Sequence, residues 1–336
     1  MTKLPGAYMR AEIDQAIPAF AEGVLQDLSA SVKAAALDKL DAFYTIARGS
    51  SDAAANLISY ELMAELQKPV TTLPPSVFSL GNGLQLGNAG ALIFSQSGGS
   101  KDLISAAIGF KNAGGKTLAI TNTPGSPLAA EADAFVDIKA GLEQAVPATK
   151  TVICTIAAGM ALLAALKPDY VKACEAAAKA MWASADAKLE QADQIIEAVK
   201  STPHVYVIGR GCGFGAAHEV ALKLKETTAI HAEAYSAAEV LHGPLQLATK
   251  PLCVLILDTG EEVSNQSLSL AEERFRSVGA NVFRLTPETV GAQGLTPAAS
   301  SAMLLRALYP VILEIALQLG LDPDQPETLS KVTVTI

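Results

Sequence analysis

Four ionisable side chains suited to acid–base work fall close together in the run His218–Pro244, HEVALKLKETTAIHAEAYSAAEVLHGP. A helix over 216–227 places Glu219, Lys223 and Glu226 at i, i+4 and i+7, stacked on one face. Their neighbours Ala216, Ala217, Val220, Ala221, Leu222 and Leu224 are apolar, so that helix reads as buried. Buried carboxylates and ammonium groups are costly unless paired, and proteins accept that cost mainly where the charges do chemistry. The competing reading is an i,i+4 ladder on a wet surface. The fourth group, His242, lies in the turn Leu241-His242-Gly243-Pro244. Histidine is a residue type suited to proton transfer, although a loop histidine also serves as a hydrogen-bonded structural group.

Two further places carry chemistry. At Ser95-Gln96-Ser97-Gly98-Gly99-Ser100 an apolar run, Ala91–Phe94, ends in hydroxyls and glycines ahead of a helix-forming stretch. Backbone N–H groups and a helix N-terminus favour a phosphate there, and Ser95, Gln96, Ser97 and Ser100 add neutral donors. Such a turn also serves as a plain helix cap. Near the end of the sequence, Lys331 precedes the β-branched run Val332-Thr333-Val334-Thr335-Ile336. A desolvated, neutral lysine would be a Schiff-base amine. In an edge strand it would instead discourage aggregation.

The sequence has 336 residues, half of them hydrophobic and 18% charged, with a formal net charge of −9. That balance supports large cores and argues against nucleic acid, whose backbone demands clustered Lys and Arg. A small phosphorylated ligand remains compatible. Cys154, Cys174, Cys212 and Cys253 show no Cys-x-x-Cys spacing and sit in apolar contexts, which predicts buried free thiols in a reducing compartment. The histidines show no metal-ligand spacing. Residues 1–20 carry Lys3, Arg10, Glu12 and Asp14 and no apolar secretion core. The longest uncharged run, Thr151–Leu166, is too short for a membrane span and reads as a buried helix. A cytoplasmic protein with no membrane partner is expected.

The elements that must hold these residues come in two matched halves. FYTIARGSSDAAANLISYEL (43–62) parallels HVYVIGRGCGFGAAHEVALKL (204–224), each a β-branched run, an Arg-Gly turn and a helix former. Residues 91–121 parallel 253–286 as strand, polar turn, helix, Gly and strand. Strands alternating with helices imply parallel sheets covered on both faces. The second half's turn, Asp258-Thr259-Gly260-Glu261-Glu262, is acidic and would repel phosphate. Residues 168–200 lack glycine and read as one connecting helix.

These segments together resemble the tandem sugar isomerase (SIS) domains of the glucosamine-6-phosphate synthase family. The likeness rests on Ser95-Gln96-Ser97-Gly98, Gly49-Ser50-Ser51, Ala221–Glu226, Ile230–Tyr235, His242-Gly243-Pro244, Asp324-Gln325-Pro326 and Lys331–Val334, and it extends over nearly the whole chain. It implies an α/β protein of two tandem SIS domains, each a flavodoxin-like three-layer αβα sandwich. An arm would occupy residues 1–25, the domains 26–185 and 186–320, and an active-site tail 321–336. By resemblance, Ser95, Gln96, Ser97 and Ser100 hold a sugar phosphate, with Ser51 near the sugar hydroxyls. Glu226 moves a proton between C1 and C2, supported by Lys223 and Glu219. His242 opens the ring, reaching across the interface of a homodimer, and Lys331 is the imine-forming amine.

Two departures shape the expected activity. The family's synthases begin with a glutaminase whose nucleophile is an N-terminal cysteine, whereas this sequence begins Met1-Thr2-Lys3-Leu4. The family's sugar-contacting loop corresponds to Glu143–Lys150, including Val146, with Ala148 where a serine is usual. The resemblance therefore implies a glucosamine-6-phosphate deaminase giving fructose 6-phosphate and ammonia. No metal or organic cofactor is needed, because the neighbouring imine or carbonyl acidifies the C–H bond. A fructosamine-6-phosphate deglycase, an enzyme for another aminohexose phosphate, and a non-catalytic sugar-phosphate sensor are the alternatives.

Overall fold

Among residues 4–331, which the computed structural model describes, nine strands form two wholly parallel sheets. The expected edge strand Val332–Ile336 lies outside the described residues. The first sheet contains β1 (Ala42–Ile46), β2 (Val70–Thr72), β3 (Ala89–Ser95), β4 (Lys116–Thr121) and β5 (Ala134–Asp137), ordered β2-β1-β3-β4-β5. The second contains β6 (His204–Gly209), β7 (His231–Ser236), β8 (Cys253–Leu257) and β9 (Asn281–Leu285), ordered β7-β6-β8-β9. The four-stranded order repeats the first four positions of the five-stranded one. The duplication legible in the sequence is therefore a duplication of topology.

The chain divides into two compact units. The five-stranded unit comprises Pro18–Leu142 and Lys150–Lys179; the four-stranded unit takes the chain up to Ile17, Glu143–Thr149 and Ala180–Lys331.

In the five-stranded unit every residue of β3 is buried. Ala91 and Ile93 share a core with Leu103, Ala106, Ala107 and Phe110 of the helix Lys101–Asn112. Side chains alternate along a strand, so the equally buried Leu92 and Phe94 point to the opposite face. A strand buried on both faces must lie inside a three-layer sandwich. Helix Lys150–Leu166 is buried for nearly its whole length, as its composition requires. It approaches its neighbour closely at Gly159, where a Cβ would lie 2.6 Å from the Ile58 side chain.

In the four-stranded unit Tyr206, Ile208, Val254 and Ile256 pack with Leu268, Ala271 and Phe275 of the helix Glu262–Ser277. Helix Pro297–Gln318 is long and apolar enough to cross a membrane by length and composition, but 78% of that window is buried inside the fold. It is a core helix.

The expected connecting helix over 168–200 is corrected to two helices, Val171–Ala183 and Ala192–Lys200. Within the four-stranded unit, Ser184 Oγ bonds back to the Met181 carbonyl, and the Arg306 guanidinium donates to the carbonyls of Ala185 and Ala187. Both carbonyls lie just beyond Ala183, so the guanidinium satisfies backbone acceptors of the non-helical segment between the two helices. The four cysteines are free and buried, as expected.

Gly159→Ala tests the close helix contact. Replacing glycine in a helix is worth roughly 1 kcal/mol by propensity, whereas overpacking against Ile58 costs about 1–3 kcal/mol. A net fall in thermal midpoint is expected, and Gly159→Ala with Ile58→Val should recover most of it.

Candidate active site

The helix Cys212–Thr228 starts from an abrupt turn after β6. A Cβ on Gly209 would lie 2.1 Å from the Gly213 carbonyl oxygen, and one on Gly213 would lie 2.7 Å from that of Leu257. Only glycine allows this helix to start so close to the sheet. The helix closes at Ala229, whose φ of +54° is left-handed.

Glu219, Lys223 and Glu226 are brought together on this helix. Lys223 is fully buried; its ammonium lies 3.7 Å from Glu219 Oε1 and donates to Glu226 Oε2. The wet-surface ladder is thereby replaced by a buried triad. Glu219 is equally buried, and the Tyr309 hydroxyl, from helix Pro297–Gln318, donates to its Oε1 at 3.1 Å. Burial draws the Lys223 pKa down, but Glu219 and then Glu226 outweigh it, and the net shift is upward. Burial and the Glu219 carboxylate push the Tyr309 phenol well above its ordinary range. Lys223 therefore stays charged and Tyr309 stays a proton donor through neutral pH. Only Glu226 reaches solvent, lining a cavity of about 530 Å³ between the C-terminal end of its helix and the segment Gly320–Leu329.

Lys331, in the same unit, is held by a further carboxylate, Glu143, whose charge also acts on Lys223 and Tyr309. Its ammonium donates to Glu143 Oε2 at 2.9 Å and to the Ala145 carbonyl at 2.7 Å. The Glu143 carboxylate is fully buried and also accepts from the Thr149 N–H at 3.0 Å. Two further carboxylates frame this arrangement. Glu12 accepts the N–H groups of Gln144 and Ala145. Asp324 accepts those of Tyr8 and Met9 at 2.8 Å each, while its own carbonyl accepts from Val146 N–H. Burial raises the Glu12 pKa; the Gln144 N–H opposes this and the charge of Glu143 adds to it.

The five-stranded unit holds the hydroxyl-rich turn. Ser95 ends β3, and its Oγ accepts the Gly98 N–H at 3.1 Å. Gly98 has φ +61°, and a Cβ there would lie 2.1 Å from Ser126 Oγ. Ser97 Oγ accepts the Gly99 N–H at 3.3 Å. Ser100 is the N-cap of helix Lys101–Asn112 and makes no side-chain cap bond, contrary to a simple capping role. Ser51 is half-buried in the first turn of helix Gly49–Leu66, which follows the adjacent strand β1. Strand order reverses between β1 and β3, and crevices at such switch points bind ligands in open α/β sheets. The second sheet reverses between β6 and β8, but there Asp258 occupies the Gly260 N–H at 2.8 Å and ion-pairs with Arg284 at 2.6 Å. An acid already fills the place of an anion.

Val146 and Ala148 are half-buried on the loop that carries Glu143. His242 is exposed and lines a separate cavity of about 510 Å³ with Gln246, Arg274 and Val278; it does not line the Glu226 cavity. Among the described residues no cluster of His, Cys, Asp and Glu is arranged to hold a metal ion. Tyr309 was missed from the sequence, although a tyrosine in so apolar a helix needs a partner for its hydroxyl.

A doubly wound α/β duplication with a hydroxyl-lined phosphate-type turn and a buried acid–base triad defines the class. The SIS domain model matches residues 37–165 and 199–289, and the chain belongs to that family. It is 32% identical over 259 residues to a glutamine–fructose-6-phosphate aminotransferase (isomerizing) of Sulfurisphaera tokodaii, covering 74% of this chain and 43% of that one. The chain thus spans about half the length of the curated relatives it matches. A protein of Silicibacter pomeroyi DSS-3, provisionally named a phosphosugar isomerase, is 31% identical with a TM-score of 0.83, over 94% of this chain and 99% of that one. The C-terminal domain of glucosamine–fructose-6-phosphate aminotransferase from Francisella tularensis shares the fold, at TM-score 0.85 and 23% identity over 95% and 98%.

Tyr309→Phe should leave the fold intact while removing the donor to buried Glu219. A loss of about 1–3 kcal/mol in urea unfolding is expected; an unchanged midpoint would show that this hydrogen bond contributes nothing net.

Proposed function

We propose that the protein is a phosphosugar isomerase that converts glucosamine 6-phosphate to fructose 6-phosphate and ammonia. The observation that carries this reading is Glu226, a carboxylate lining a cavity and hydrogen-bonded from behind to a permanently charged, buried Lys223. That pairing suits a base that takes a proton and returns it one carbon away.

The phosphate is received by the Ser95–Ser100 turn, and Ser51 bonds the sugar hydroxyls. His242 of a second copy opens the ring, in keeping with its exposure on this chain. Glu226 then removes the C2 proton, leaving an enolamine, and delivers it to C1. The product is a C2 ketimine. Water replaces the nitrogen at C2, directly or after exchange onto Lys331, and ammonia leaves. Lys331 suits the exchange better than Lys223, because its side chain is partly open whereas Lys223 is sealed between two carboxylates. The half-buried Ala148 supports one competing substrate: the space of a missing hydroxyl would admit the larger amine substituent of a fructosamine 6-phosphate.

Purified protein offered each substrate separately should release ammonia and fructose 6-phosphate from glucosamine 6-phosphate. Release of free amine from fructosamine 6-phosphate alone would favour the deglycase; turnover of neither would overturn the enzyme reading. Glu226→Gln should lower kcat by roughly 10²–10⁴-fold with little change in inhibitor binding. Ser97→Ala should weaken binding of the phosphorylated sugar by about 1.5–3 kcal/mol, as for a hydrogen bond to a charged group. Equal affinity of the unaltered protein for phosphorylated and unphosphorylated sugar would remove the turn from the site.

A further inference from the structure

The Lys331 ammonium rests on a carboxylate that is fully buried, while its own side chain remains about a quarter exposed. An amine that forms an imine must first lose a proton, and the group touching Nζ that can take it is Glu143, at 2.9 Å. The second acceptor, the Ala145 carbonyl at 2.7 Å, fixes the direction of the amine but has no basicity to offer. The N–H of that same peptide, on Val146, donates to the Asp324 carbonyl, and Glu12 holds the preceding peptide through the Ala145 N–H. The charged groups around Lys331 are thus Glu143 and Glu12, with the Glu219–Lys223–Glu226 triad sensing Glu143 beyond them.

We infer that Glu143 is the general base that frees the Lys331 amine for imine formation. This rests on the proposed sugar-phosphate reaction and adds a residue to it. The N–H bond of the ammonium breaks and an O–H bond forms on Glu143 Oε2. The free amine adds to C2 of the ketimine, and both amine protons pass to the departing nitrogen, which leaves as ammonia. Water adds to the resulting lysine imine, the C2–Nζ bond breaks, and the ketose is released. The freed amine then recovers its proton from Glu143, so the pair returns to its starting charge.

The test is borohydride trapping of the intact protein with fructose 6-phosphate, read by mass spectrometry at Lys331 between pH 6 and 9. The unaltered protein should form the adduct at a rate nearly independent of pH. Glu143→Gln, which keeps one acceptor oxygen but not the base, should trap roughly 10²–10⁴-fold more slowly at pH 7. Its rate should then rise with pH, because without a built-in base the ammonium proton must pass to solvent. Glu143→Asp, which keeps a base, should retain the flat profile at a lower rate and serves as the reference if the glutamine variant folds poorly. Equal rates and profiles in the Gln variant and the unaltered protein, or a steep profile in the Asp variant, would overturn the role. So would turnover of glucosamine 6-phosphate without any Lys331 adduct, which would leave the proposed reaction standing. Absence of both turnover and adduct would instead remove the reaction, and this role with it.

Discussion

Lys223 has no exposed surface, and the four-stranded unit is organised around the need to compensate its charge. An ammonium taken out of water carries a desolvation penalty of several kcal/mol, recovered only if partners are close and well placed. Glu219 and Glu226 supply them from the same helix, one turn to either side. Two carboxylates on one ammonium leave a surplus negative charge, and the Tyr309 hydroxyl meets it at Glu219. The upward shift of Lys223 reports that pairing has exceeded burial. Glu226 is left as the only member of the triad with a face toward a cavity.

A second set of carboxylates ties distant parts of the sequence to each other. Asp324 binds the first turn of the N-terminal helix through the N–H groups of Tyr8 and Met9, which is where an anion is best placed on a helix. Glu12, one turn further along, reaches the loop 143–149, and Val146 of that loop bonds back to the Asp324 carbonyl. Lys331 closes the set on Glu143. The binding that holds this segment is polar and specific. The same contacts that order the tail set the surroundings of its lysine.

Duplication followed by divergence is visible at the two strand-order reversals. Both sheets run parallel, reverse at their first and third strands, and start a helix just after each. At Ser95–Ser100 the side chains are neutral donors and Gly98 lets the backbone close against Ser126. At Asp258–Glu262 the acids consume the same kind of backbone donor, and Arg284 neutralises one of them. One fold supports both, because the sheet and helices need only the strand pattern and the turn, not the polarity of what the turn presents.

What the sequence determined by itself is whatever depends on short range. The i, i+4, i+7 spacing of Glu219, Lys223 and Glu226 decides their meeting wherever a helix forms, and the apolar residues between them announce burial. Alternating strand and helix patterns likewise decide parallel sheets, and the acidic second turn is readable from composition. The placements of Tyr309 against Glu219, 90 residues away, and of Glu143 against Lys331, 188 residues away, were decided only by tertiary structure. So was the break in the helix after Ala183, where Arg306 captures two carbonyls from more than a hundred residues along the chain. Local spacing carries no information about such pairs. They form because a buried charge must find a partner wherever the packed backbone supplies one, and that choice exists only once the core has closed.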